Sequence, residues 1–154
     1  MESTASPPAI TIRVARVIGG LQAEVYRAWT DAAMKPTWWG KSGRGELTKC
    51  EMDVRVGGRF RYEMRMPNAT AEAASGEHVE VSPPQRLIFT WPAKPDGSGE
   101  GETSVTFEFV DLRDGTTRCV VTHQGIVDQR IATTYRAAWS NVLQDLGMLF
   151  ARRV

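Results

Sequence analysis

The residues of this sequence best suited to proton chemistry are its two histidines and one neighbouring carboxylate. His78 and Glu80 lie two residues apart, on the same face of a predicted strand over residues 77–82. An imidazole beside a carboxylate can act as a general acid or base if both point into a cavity. Two alternatives stay open, because a one-residue bulge would reverse the faces: an inward face contacts a ligand, and an outward face is solvated. His123, on the last predicted strand, either reaches a cavity or is a hydrogen-bonded core histidine.

No other pattern in the sequence predicts catalysis, a metal site or a cofactor. A zinc site needs three or four histidine, cysteine or carboxylate ligands at suitable spacing, and two isolated histidines do not provide them. Cys50 and Cys119 are far apart and match no metal or redox spacing, which favours reading both as small hydrophobic residues. There is no GxSxG motif, glycine-rich phosphate loop or CxxC motif. We therefore assign no catalytic residue and expect no metal ion or cofactor.

Large apolar side chains recur with strand and helix periodicity and could line a binding cavity. Residues 59–66 alternate aromatic side chains or methionine with charged side chains, which predicts a strand with one apolar face. Aromatic walls with a few polar tips suit an apolar or aromatic ligand, but the same residues could simply fill the core. The candidate ligand-binding residues are Trp38, Trp39, Phe60, Tyr62, Met64, His78, Glu80, Phe107, Phe109, His123, Tyr135, Trp139 and Leu143.

The adjacent tryptophans Trp38 and Trp39 allow two interpretations. Two neighbouring indoles are not expected to point inward together from one short helix end. One of them could gate the mouth of the cavity. Alternatively, one packs under the first helix and the other lies on the surface, and the pattern slightly favours this second arrangement.

The elements that position these residues are predicted to run β, α, α, about six more strands and a long final helix. Residues 131–150 carry an apolar stripe about 120° wide at helical spacing, and Asp128 is a plausible N-cap for this helix. Asp31 can cap the second short helix, and residues 67–75 are predicted to be a loop. Antiparallel strands beside segregated helices are typical of an α+β fold. The predicted strands cover residues 10–17, 47–54, 59–66, 77–82, 86–91, 103–112 and 117–124.

Composition predicts one ordinary domain and limits the classes of partner. The 154 residues are 42% hydrophobic and 24% charged, with a formal net charge of +1. This charge creates no long-range field that would favour nucleic acid or an anionic membrane surface. No apolar run is long enough to span a membrane, and the first residues lack a secretion signal, so a cytoplasmic location is expected. Residues 1–9 are predicted to be a disordered tail and 10–154 a single domain. A monomer and a homodimer both stay open.

Several segments together resemble the heat-shock protein 90 ATPase-activator homologue family. This family is a branch of the START, birch-pollen-allergen and polyketide-cyclase (SRPBCC) superfamily. The resemblance implies a START-like helix-grip fold, in which a curved antiparallel sheet of six or seven strands wraps the C-terminal helix and leaves a cavity. The segments, read in order, are 25–31 (VYRAWTD), 38–40 (WWG), 53–60 (DVRVGGRF), 83–91 (PPQRLIFTW) and 122–125 (THQG).

Three functional hypotheses follow. The first is a binder of an apolar or aromatic small molecule, lipid-, polyketide- or flavonoid-like, in a pocket of about 300 to 1,000 Å³ and without catalysis. The second is a cyclase- or hydrolase-like enzyme that uses His123 or Glu80 as its acid or base. The third is a chaperone accessory protein. It ranks last, because stimulation of the chaperone in that family also involves a further N-terminal domain, for which this chain has no room.

Overall fold

The computed structural model describes residues 9–41 and 45–151, which form seven strands, two α-helices and one short 3-10 helix. The 3-10 helix covers Lys35–Thr37. The other elements are β1 (Ile10–Ile18), α1 (Gln22–Thr30), β2 (Glu46–Met52), β3 (Arg59–Arg65), β4 (Ala71–Ser82), β5 (Arg86–Pro92), β6 (Glu102–Asp111), β7 (Thr117–Ile126) and α2 (Gln129–Ala151).

The seven strands form one antiparallel sheet in the order β1-β7-β6-β5-β4-β3-β2. The sheet curves around α2, whose predicted apolar stripe is its buried face: Tyr135, Trp139, Leu143 and Leu146 are all buried. Burial of one helix face against one sheet face is what holds an α+β domain together. The predicted α+β class and helix-grip fold are therefore confirmed.

Helix α2 begins and ends against fixed partners. At its start, the Asp128 carboxylate accepts hydrogen bonds from the backbone N–H groups of Arg130 (2.6 Å) and Ile131 (3.4 Å), which confirms the predicted N-cap. At its end, the Phe150 ring packs directly on the backbone of Gly20, between β1 and α1. The C-terminal half of α2 thus closes one end of the fold, and its N-terminal half is left to face the strands at the other end.

Two local predictions, one of a strand boundary and one of a helix, were wrong. Strand β4 begins at Ala71, inside the predicted loop 67–75, because its first residues pair with β3, with Glu72 opposite Met64. Alanine and glutamate are poor strand formers, so this pairing overrides local preference. The second predicted helix is a turn followed by the 3-10 helix, although Asp31 does cap it by accepting from the N–H of Ala33 at 2.9 Å.

The predicted tail, residues 1–9, lies outside the described residues except for its last position, and so do residues 42–44 and 152–154. Neither of the two described α-helices has the length and hydropathy to cross a membrane.

Candidate functional site

A cavity of about 170 Å³ lies between the first half of α2 and the β3–β4–β5 side of the sheet. We call it the aromatic cavity, because its walls include three indoles and a phenol. Most of its other walls are methionine, proline, alanine and valine side chains or glycine backbone. The lining residues are Trp39, Gly40, Gly45, Met64, Met66, Glu72, Trp91, Pro95, Thr134, Tyr135, Ala138, Trp139, Asn141, Val142 and Asp145.

The indole walls are held in place by contacts with one another and with neighbouring rings. Trp91 on β5 packs against Trp139 on α2 with ring centroids 5.1 Å apart, and Trp39 lies 5.5 Å from the ring of Tyr62. The Tyr135 hydroxyl donates a 2.6 Å hydrogen bond to the carbonyl oxygen of Pro92, which joins α2 to the end of β5. Rings packed at these separations attract one another beyond simple area burial. The cavity walls are therefore preorganised rather than loose.

A hydrogen-bond relay behind the cavity fixes the orientation of Trp139. The Trp139 Nε1–H donates to Nδ1 of His123 at 3.0 Å. On the other side of the imidazole, Nε2 lies 2.6 Å from the Thr103 hydroxyl, whose own hydrogen is donated to the Trp91 carbonyl oxygen at 3.0 Å. An indole nitrogen can only donate, so Nδ1 must accept and Nε2 must carry the hydrogen. His123 is therefore the neutral Nε2–H tautomer.

Burial supports the same protonation state. His123 is fully buried, and desolvation lowers its pKa to about 4. A proton added at Nδ1 would point at the Trp139 Nε1–H and break that hydrogen bond. The imidazole therefore acts as a neutral spacer that positions one wall of the aromatic cavity.

Two carboxylates supply the charge in the lining. Glu72 on β4 is half-buried, and both burial and the nearby Asp96 carboxylate raise its pKa. Asp145 on α2 is only 3% exposed and accepts a 2.9 Å hydrogen bond from the backbone N–H of Gly40. No lysine or arginine lines the cavity among residues 9–41 and 45–151. The described lining is thus aromatic and acidic.

Four of the thirteen predicted site residues line the aromatic cavity: Trp39, Met64, Tyr135 and Trp139. Trp38 does not, since it packs under α1, where its Nε1–H donates to the Ala28 carbonyl oxygen at 3.0 Å. The expectation that one of the adjacent tryptophans would lie on the surface is wrong, because both are buried. The 3-10 segment runs between α1 and the sheet, so side chains on both of its sides meet the core.

Five more predicted residues lie in the core outside the cavity lining. Phe107 lies 4.7 Å from the Trp29 ring and stacks on Phe109 at 4.5 Å, while Phe60 stacks on Trp91 at 5.7 Å. For these rings, the core-filling alternative of the sequence analysis describes their position. The set is Phe60, Tyr62, Phe107, Phe109 and Leu143.

The predicted shared face of His78 and Glu80 does not exist. The register of β4 against β5 shifts between these two residues, so His78 turns inward and Glu80 turns outward. The buried His78 donates from Nδ1 to the Gly58 carbonyl oxygen at 3.1 Å, and burial lowers its pKa. Glu80 accepts a 2.6 Å hydrogen bond from Arg86 on the outer face, where this contact lowers its pKa. Neither histidine nor Glu80 lines the aromatic cavity.

Sequence reasoning missed several lining residues. Trp91 could have been found, because Leu87, Phe89 and Trp91 alternate along β5 as inward residues do. Glu72 was missed because its strand was predicted to be a loop. Asp145 was missed because a carboxylate does not belong to an apolar stripe, yet it is buried and accepts a hydrogen bond from the backbone N–H of Gly40, in another part of the chain.

A buried lysine lies behind the cavity wall. Lys35 is fully buried; its Nζ is 2.7 Å from the Tyr62 hydroxyl, 3.3 Å from the ring centroid of Trp29 and 5.5 Å from that of Trp39. Desolvation holds the pKa of this amine well below its ordinary value. Within the described part of the chain, no cluster of three or more metal-ligating side chains occurs.

Comparison with known proteins gives one family and many similar folds. The family model described as "Activator of Hsp90 ATPase homolog 1-like protein" matches residues 22–151. Among solved structures, protein CV1439 from Chromobacterium violaceum is 25% identical, with 94% of this chain and 98% of that chain covered and a TM-score of 0.74. No curated protein matches the sequence.

Two further structures show the same fold at lower identity. An uncharacterised protein from Rhizobium leguminosarum is 21% identical, with coverages of 94% and 95% and a TM-score of 0.77. The solution structure of an AHSA1-like protein from Aeromonas hydrophila is 22% identical, with 90% of each chain covered and a TM-score of 0.74.

Proposed function

We propose that this chain, which belongs to the Activator of Hsp90 ATPase homolog 1-like family, binds a small apolar or aromatic molecule in the aromatic cavity. The observation that carries the proposal is the convergence of Trp39, Trp91, Tyr135 and Trp139 on one space of about 170 Å³. Ligand pockets are typically apolar and aromatic with a few placed polar groups, and this lining has that character.

The size of the cavity narrows the ligand class. Its volume lies below the 300 to 1,000 Å³ that we expected from the sequence. A one- or two-ring aromatic molecule suits such a space, whereas a lipid or polyketide could place only one end in it. Burying about 150 Å² of apolar ligand surface would gain about 4 kcal/mol before ordering costs, so this burial alone supports about millimolar affinity at best.

The second hypothesis draws no support from the positions of its two proposed acid/base groups. Both ring nitrogens of His123 are engaged in the relay behind Trp139, and Glu80 pairs with Arg86 on the outer face. The chaperone-accessory hypothesis stays a prediction. Binding without catalysis is therefore the function that the geometry favours.

The test is to fill the cavity without disturbing the core. Ala138 lines the cavity and is exposed, so Ala138→Trp should occupy the ligand space at little cost in stability. Ala137 is the preceding residue, is also exposed and does not line the cavity, so Ala137→Trp is the matched control. Indole, 2-naphthol and quinoline would be screened by thermal shift and titration calorimetry.

We expect at least one of these compounds to raise the melting temperature of the wild type and of Ala137→Trp but not of Ala138→Trp. If no compound binds the wild type, or if binding persists in Ala138→Trp, the proposal is wrong.

A further inference from the structure

We propose that the natural ligand of the aromatic cavity carries a positively charged amine, held between the indole faces and the carboxylate of Glu72. This inference rests on the proposed function and specifies the chemical class of its ligand. It makes the cavity a site for a small arylalkylamine or a similarly compact organic cation.

The first support is the nature of the walls. Trp39, Trp91 and Trp139 all line the cavity, and the indole face is the side-chain surface that attracts a cation most strongly. Three indole rings are therefore available to a bound ammonium group.

The second support is the charge of the lining. Glu72 is half-buried in the cavity wall, and no described lining residue is a lysine or arginine. Lys94, on the β5–β6 connection, acts electrostatically on Asp96 and does not line the cavity. In an environment of reduced dielectric, an acidic group in an aromatic wall favours a cation and disfavours an anion.

The pKa values of two lining residues point to a negative potential in the aromatic cavity. Burial and the Asp96 carboxylate raise the pKa of Glu72, which means that the ionised carboxylate is less stable here than in water. The Tyr135 hydroxyl experiences the same field, since its pKa is raised by burial and then by Asp96 and Glu72. A bound ammonium group would offset this negative potential, whereas a neutral ligand would leave it in place and a carboxylate would add to it.

The test compares three probes that share one ring system: 2-(1-naphthyl)ethylamine, 2-(1-naphthyl)ethanol and 1-naphthylacetate. At pH 7.5 the first is a cation, the second is neutral and the third is an anion. Titration calorimetry on the wild-type protein should give about tenfold tighter binding of the amine than of the alcohol, and the weakest binding for the acetate. The preference should shrink as salt is raised from 20 to 500 mM.

Removing the charge of Glu72 tests whether this carboxylate causes the preference for the amine. Glu72→Gln should reduce the preference for amine over alcohol to about threefold or less while alcohol binding persists. Glu77→Gln is the control, because Glu77 lies on the same strand but is exposed and pairs with Arg59 on the outer face at 3.7 Å. That variant should keep the full preference.

The outcomes separate this inference from the function on which it rests. If the alcohol binds the wild type as tightly as the amine, or if Glu72→Gln keeps the preference, the cation inference is overturned and the aromatic cavity remains a binding site. If none of the three probes binds, both fail. Should Glu72→Gln not fold, the salt dependence of the preference decides, and a preference that salt does not reduce overturns the inference.

Discussion

Lowering the pH should destabilise the fold through the imidazole of His123. In the folded protein this ring is neutral, since its Nδ1 accepts from the Trp139 Nε1–H and its pKa is lowered to about 4. In the unfolded chain a histidine has a pKa of about 6.5. Between these two values the unfolded state binds more protons than the folded state, so stability is fully present above pH 6.5 and falls as the pH decreases.

The size of this effect follows from the two pKa values. Each tenfold difference in proton affinity is worth about 1.4 kcal/mol, so His123 alone should cost about 2 kcal/mol of unfolding free energy by pH 5 and about 3 kcal/mol by pH 4. Because domains of this size are stable by only about 5 to 15 kcal/mol, the loss should be easily measured.

The assay combines urea unfolding with nitrogen NMR. Urea titrations followed by tryptophan fluorescence at pH 7.5, 6.0, 5.0 and 4.5 would be compared between the wild type and His123→Gln, which cannot titrate. His78→Gln is the parallel variant, because the pKa of His78 is also lowered and contributes with the same sign. The wild type should lose about 2 kcal/mol more than His123→Gln between pH 7.5 and 5.0.

Nitrogen NMR reports the tautomer directly, because the chain has only two histidines. A folded protein whose His123 is the Nδ1–H tautomer at pH 7.5, or is doubly protonated at pH 5.5, would refute the relay. Equal pH dependence of the wild type and His123→Gln would refute the energetic argument.

Two further predictions concern the core. The lowered pKa of the buried Lys35 amine means that the fold favours the neutral amine, so the stability of the wild type should rise from pH 7 toward pH 10. Lys35→Met should be more stable than the wild type at pH 7 and should not show this rise. Urea titrations at pH 7 and 9.5 would measure both effects, and a variant whose stability still rises as much as that of the wild type would contradict the reasoning. Gly20→Ala should lower the unfolding free energy by about 1 to 3 kcal/mol, because its added methyl group would overlap the Phe150 ring. In Gly19→Ala the methyl group meets no atom within 4 Å, so stability should change by less than about 0.5 kcal/mol. Equal unfolding midpoints for the two variants would show that α2 does not pack against the β1–α1 connection as described.

The fold could be predicted because its signals are local. The apolar stripe of α2 repeats at helical spacing, and Phe60 and Tyr62 alternate with charged residues at strand spacing. Each pattern tells which side of an element avoids water, and the sheet and helix bury those sides against each other. Even the start of α2 was predictable, since Asp128 needs only the next turn of backbone to act as a cap.

The candidate site was only partly predictable, because a cavity depends on residues that do not touch in sequence. Trp39 and Trp139 were recognised as large aromatic residues, but the neighbours that make them cavity walls come from β5, β4 and the segment around Gly40. Glu72 was hidden in a stretch with little strand propensity, whose strand forms only by pairing with β3.

The sequence by itself determined the α+β class, the long C-terminal helix and the faces that must be buried, because the spacing of apolar residues shows which side of each element avoids water. Tertiary structure decided which buried side chains line an open space and which fill the core, because that depends on how far apart the elements are held. It also decided the one-residue shift that turns His78 inward and Glu80 outward, and the long-range hydrogen bond from Gly40 that buries Asp145. Such contacts join distant parts of the chain, so no local pattern encodes them.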